Sequence, residues 1–186
     1  MAERTLTIPP VCCVSQNFWR VNCFGALLCA RQAVPSMLAA GPPGGDSDPL
    51  PDRSLHCGTI LLTGATASLR CLAGMTSMST GKFGLRALAQ GIAREFGPKG
   101  IHVAHVIIDG AVDSPLLRSY VKGQIKKGKG DVFSSSGAPA NTPFEARFLQ
   151  PDAVAEEYFH LHSQHPSAWT QELDLRPHVE SIYSRM

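Results

Sequence analysis

The sequence is short of charge. Charged residues make up 17% of its 186 positions, and the formal net charge is only +2. That balance gives no electrostatic basis for holding nucleic acid or an anionic membrane surface. It has no C-x-x-C pair, although six cysteines are present (Cys12, Cys13, Cys23, Cys29, Cys57 and Cys71). The expectation is reduced core thiols in a cytoplasmic protein, not a zinc ribbon or a disulfide framework. No uninterrupted apolar run reaches the roughly 20 residues that a bilayer span requires. The amino terminus carries Glu3 and no long apolar segment, so it does not read as a signal peptide. No internal repeat is found.

What is present is a globular composition, 44% hydrophobic, on a chain the length of one ordinary domain, residues 1–186. Residues 16–40, "QNFWRVNCFGALLCARQAVPSMLAA", predict a helix, with Phe18, Val21, Phe24 and Leu28 at helical spacing. Ser15 is the expected cap, and Pro35 is expected to kink the last turns. Residues 41–57 are rich in Pro, Gly and Asp and read as a loop insertion. "GTILLTGA" (58–65) predicts a buried strand, followed by a loop. Residues 76–96 predict a second long helix on Leu85, Leu88, Ala89, Ile92 and Phe96, stopped by Gly97, Pro98 and Gly100. "IHVAHVIID" (101–109) predicts another buried strand. Residues 115–148 are polar and irregular and read as a mobile flap. A helix over 151–164 and a strand within 168–177 close the chain. Strands alternating with helices predict an α/β fold with a parallel sheet.

This order resembles the carboxy-terminal part of a short-chain dehydrogenase/reductase over residues 16–177. "FWRVNCFGALLCARQAVPSML", "GTILLTGATAS", "GKFGLRALAQGIAREFGPKGIHVAHVIIDGAVDSP" and "LQPDAVAEEYFHLHSQHPSAWTQELDL" carry the likeness. The resemblance implies a truncated Rossmann-like sheet flanked by helices. It also implies hydride transfer between NAD or NADP and a carbonyl or alcohol. A tetrad of Asn, Ser, Tyr and Lys does that chemistry in the family.

Carried over position by position, the asparagine is Asn22 and the lysine is Lys82. The tyrosine position holds Met78, which has no proton to give, and the serine position holds Ala65, with Thr66 and Ser68 as nearby hydroxyls. Asp109 and Gly110 stand where the family has Pro-Gly. Val112 and Ser114 match residues at the nicotinamide end. Neither G-x-x-x-G-x-G nor G-x-G-x-x-G occurs ahead of Asn22, so no dinucleotide phosphate turn is read there. The resemblance therefore also implies an impaired enzyme or a catalytically silent relative. Such a chain would assemble with itself, or with a full-length relative, through helices 16–40 and 76–96.

Two further groups remain. His160, His162 and His165 suggest a helix-borne metal pair, but no carboxylate or cysteine completes it in sequence, so no metal is expected. Lys122, Lys126, Lys127 and Lys129 read as a solvated basic face.

Overall fold

The computed structural model describes residues 16–42, 56–71, 73–126, 143 and 145–179. The readings of Ser15 as a cap, of Cys12 and Cys13, of most of the 41–57 insertion and of Lys127 and Lys129 lie outside those residues.

Helix α1 runs Gln16–Ala40. Its turn Arg20–Phe24 is π-helical and Gly25–Ala40 is α-helical. It continues through Pro35 and ends at Gly41, whose φ of 68° lies in the region glycine tolerates. Strand β1 (Gly58–Ala65) follows, then a 3-10 turn over Thr66–Ser68. Helix α2 is Thr76–Phe96, ending in a 3-10 turn that closes at Gly100, φ 89°. Strand β2 (Ile101–Ile108) leads to a two-residue strand, β3 (Ala111–Val112). Helix α3 (Pro115–Lys126), strand β4 (Phe148–Leu149), helix α4 (Pro151–Ser163) and strand β5 (Glu172–Leu175) complete the described chain.

The main sheet is parallel, in the order β1–β2–β5. Gly58 pairs with Ile101 and Ala65 with Ile108, so the two strands end together. His105 pairs with Glu172 and Ile108 with Leu175. The small strands β3 and β4 pair in parallel as a separate sheet.

Strand β2 is central, and both its faces are covered. Alternate side chains serve opposite layers. Ile101 and Val103 join Ala30, Val34 and Ile92 under α1 and α2. Ala104 and Val106 join Leu161 of α4. The result is the expected α/β fold, a parallel Rossmann-like sheet with helices on both faces.

Four expectations change. The stretch 115–148 is not a flap throughout. Residues 115–126 are helical and 148–149 form a strand. Among the described side chains of this helix Val121 is fully buried and Leu117 half-buried. The row Phe18, Val21, Phe24 and Leu28 on α1 is not the buried face; all four are exposed, Val21 at 74%, while Ala30 and Val34 turn inward. The described cysteines are thiols, as expected, but they are not in the core. Cys29 and Cys71 are exposed, and Cys23 and Cys57 are half-buried. Finally, α1 is long and apolar enough to cross a membrane, with a mean hydropathy of 1.3 in its best window. Scattered short polar residues hide this in a search for unbroken runs. Only 11% of that window is buried within the described structure.

Candidate active site

The carboxyl ends of β1 and β2 and the first turns of α2 converge on one region, the place where open parallel sheets bind ligands. Gly81 and Gly84 of α2 let α1 approach closely. A Cβ on Gly81 would stand 2.8 Å from the Phe18 carbonyl and 3.3 Å from Asn22 Cβ, and one on Gly84 would stand 2.9 Å from Cys23 Sγ. The π-helical turn carries Asn22 at its centre. Turns of this kind occur mostly where a helix is interrupted at a functional position. The Asn22 amide is not left unbonded, since Nδ2 donates to the Phe18 carbonyl at 3.0 Å. Lys82 follows Gly81 along α2, and its ammonium turns toward β1.

The Lys82 ammonium donates to the Thr63 carbonyl at 2.8 Å. Burial pushes the Lys82 pKa below the ordinary lysine value. Met78 lies one turn earlier on α2 and is half-buried. It offers no donor at the tyrosine position.

The nearby hydroxyls are committed. Ser68 is wholly buried, and its Oγ accepts from the Ala65 amide at 3.1 Å. Thr66 Oγ1 donates to Asp109 Oδ1. Asp109 is buried and pairs with Arg176 at 3.1 Å, and its own amide donates to the Leu175 carbonyl. It therefore ties β2, β5 and the turn after β1 together. Gly110 is needed for space, because a Cβ there would meet Pro177 Cδ at 2.8 Å. Val112 lies in β3, paired with Leu149. Ser114 caps α3, its Oγ accepting from the Leu117 amide at 3.2 Å.

Asn22, Lys82, Met78, Ala65, Thr66, Ser68 and Asp109 thus gather around the ends of β1 and β2. Val112 and Ser114 follow β2 on the separate β3–α3 segment. Among the described residues no three histidine, cysteine or carboxylate groups could hold a metal ion. His162 Nδ1 is instead bonded to Thr59 Oγ1 at 3.0 Å, and His165 Nδ1 meets Ser167 Oγ at 2.7 Å.

Sequence patterning leaves some of the polar groups unmarked. Tyr158 of α4 bonds Thr63 Oγ1 at 2.8 Å, and burial raises its pKa. It reaches Thr63 from the α4 side of the sheet, because the Thr63 side chain lies on the same strand face as Leu61, which packs under α4. It does not replace the missing tyrosine. Beneath α2, Glu172 accepts two bonds from Arg86 at 2.7 Å and faces His105 Nδ1 at 3.0 Å. The one signal in sequence is an imidazole at an inward position of a strand otherwise nearly all apolar.

A family profile described as enoyl-(acyl carrier protein) reductase matches residues 15–172. The chain belongs to the short-chain dehydrogenase/reductase family. Solved structures agree with this. A short-chain dehydrogenase from Rhodopseudomonas palustris is 33% identical with a TM-score of 0.57. It is covered over 52% of its length by 89% of this chain. The 3-hydroxyacyl-CoA dehydrogenase type-2 from Mycobacterium avium shares the fold at 20% identity and a TM-score of 0.64, with 90% and 57% of the two chains covered. An NADPH-bound short-chain oxidoreductase from Pseudomonas aeruginosa, described as having an atypical catalytic centre, aligns at 15% identity and a TM-score of 0.63. There 89% of this chain covers 57% of that one. The chain therefore spans a little over half the length of these relatives. No curated protein matches it.

The positions matched to the family tetrad in sequence hold Asn22, Ala65, Met78 and Lys82. Gly110, Val112 and Ser114, matched to the nicotinamide end, lie just after β2. The 21 residues ahead of Asn22 contain no glycine-rich turn for the phosphates of a nicotinamide nucleotide.

Proposed function

We propose that the chain forms the nicotinamide- and substrate-facing part of an NAD- or NADP-dependent oxidoreductase site acting on a carbonyl or alcohol, with its chemistry impaired. The observation that carries this is the close approach of α1 to α2 at Asn22 and Gly81, with Lys82 next along α2 and bonded to β1. The π-helical turn puts Asn22 against Gly81, and the Lys82 ammonium reaches the Thr63 carbonyl. Bound nicotinamide would supply or accept the hydride. Lys82 would hold the ribose and supply positive charge, and Val112 and Ser114 would meet the carboxamide end.

Impairment follows from Met78 and Ala65. An in-place general acid contributes about 10²–10⁴-fold, and neither residue carries an exchangeable proton. Thr66 and Ser68 are the hydroxyls available to orient substrate, and each would first have to leave its present partner. The NADPH-bound oxidoreductase from Pseudomonas aeruginosa is described as containing an atypical catalytic centre on this fold.

A second reading rests on a separate observation. Trp19, Phe24, Leu27 and Leu28 of α1 are all 40% or more exposed, a contiguous apolar surface of the kind that marks protein contacts. In this reading the chain is a catalytically silent subunit. It pairs through α1 and α2 with itself or with a full-length relative. The exposed thiols Cys29 and Cys71 favour a reducing compartment, the cytoplasm, and the low net charge favours neither nucleic acid nor membrane as partner.

Titration calorimetry of the folded chain with NADH and NADPH tests the first reading. Micromolar binding of either supports it. No heat up to millimolar nucleotide overturns it and leaves the silent subunit.

A further inference from the structure

His105 is 1% exposed, yet one of its ring nitrogens has no hydrogen-bond partner among the described residues. The partnered nitrogen defines the tautomer. Glu172 is held by Arg86 through two bonds, and that hydrogen-bonded guanidinium keeps its carboxyl below the ordinary glutamate value. An ionised carboxylate only accepts, so His105 Nδ1 carries the proton and Nε2 carries a lone pair. That lone pair faces Gly64, where even a Cβ would come within 2.2 Å, and Ser68 Oγ stands 2.9 Å from the same point.

The groups around this ring are few. Glu172 of β5 is the facing anion. Arg86 and Lys82 of α2 are facing cations. Ser68 of the turn after β1 is a neutral hydroxyl near Nε2, but its oxygen takes the Ala65 amide and makes no bond to the ring. A proton on Nε2 would therefore place a third positive charge against one carboxylate, in a space closed by Gly64.

We propose that His105 is a pH-responsive positioning residue. Neutral, it seats the first half of α2, with Met78 and Lys82, on the ends of β1 and β2; protonated, it unseats them. Burial lowers the His105 pKa from the ordinary histidine value, which agrees in direction. The sign is that of a group depressed in the folded state. The stabilisation is complete above the ordinary histidine range and is lost as pH falls through the folded value. Its consequence for nucleotide rests on the oxidoreductase reading; the movement of α2 does not.

The test is nitrogen NMR of the histidine rings in the whole chain, with amide exchange of α2 followed against pH. At neutral pH the His105 ring should carry its proton on Nδ1. As pH falls from the ordinary histidine range to the depressed His105 midpoint, exchange protection over Thr76–Arg86 should fall about tenfold per pH unit, as one linked proton requires, and level off below it. His105→Asn should abolish that slope, whereas His102→Gln should keep it, which separates this ring from the other buried imidazole of β2. Arg86→Gln, a milder change, should raise the His105 midpoint. An Nε2–H tautomer at neutral pH, a slope that survives His105→Asn, or a midpoint indifferent to Arg86→Gln would each overturn the proposal. Nucleotide added to the same samples reports separately. If α2 responds and no nucleotide binds at any pH, the oxidoreductase reading fails and this one stands.

Discussion

The Lys82 ammonium rests on the Thr63 carbonyl, 2.8 Å away, at the outer strand of the sheet. A side chain that the family uses for cofactor and proton handling is here also a cap on β1. The two roles separate experimentally. Lys82→Ala should cost about 1 kcal/mol in urea unfolding, the typical worth of one such bond. Under the oxidoreductase reading it should also weaken nucleotide binding at least tenfold in calorimetry. Loss of stability with unchanged affinity would make the lysine purely structural.

Restoring the missing acid should restore rate. Met78→Tyr combined with Ala65→Ser puts the phenol one turn before Lys82 and the hydroxyl at the end of β1. NAD(P)H consumption with a panel of small carbonyls should rise by about 10²-fold or more over the unmodified chain. No gain in a variant that binds nucleotide would show that the impairment lies elsewhere than in proton supply.

Two glycines of α2 should respond in opposite directions. At Gly81 an alanine Cβ meets the Phe18 carbonyl at 2.8 Å, a backbone atom that cannot swing aside. Gly81→Ala should destabilise by about 1–3 kcal/mol. Gly91 has nothing within 4 Å of the same position. Gly91→Ala should stabilise by roughly 0.5–1 kcal/mol, the helix-propensity difference. Urea midpoints of the pair check the close contact between α1 and α2.

The family likeness makes Asp109 a cofactor contact, whereas in the structure it is a buried ion-pair partner. Asp109→Asn removes one carboxylate partner of the Arg176 guanidinium and the charged acceptor of Thr66. The expected loss is about 3 kcal/mol, typical of breaking one side of a buried pair. A near-neutral result would return Asp109 to the candidate ligand contacts.

The silent-subunit reading makes its own prediction. Phe24→Asp or Leu28→Asp places a charge on the exposed apolar row of α1. Sedimentation should then show a smaller species than the unmodified chain, with stability nearly unchanged because these side chains are not in the core. An assembly state unmoved by either charge would sink that interface.

Local rules determined much of this protein. The helix over 76–96 and the strand over 58–65 are legible to the residue. Their patterns are strong, glycines bound them, and the chain between them is short. Met78 and Lys82 are placed by sequence on one helix a turn apart, and the structure has them there. Tertiary structure alone decided the rest. Which face of α1 is buried depends on what covers it, and Ala30 and Val34 are buried because Ile92 of α2 and Ile101 and Val103 of β2 pack against them. The role of Asp109 depended on Arg176, 67 positions later, and that of His105 on Glu172, also 67 positions later. Such pairings arise only when parallel strands come into register, and no spacing within either segment encodes them.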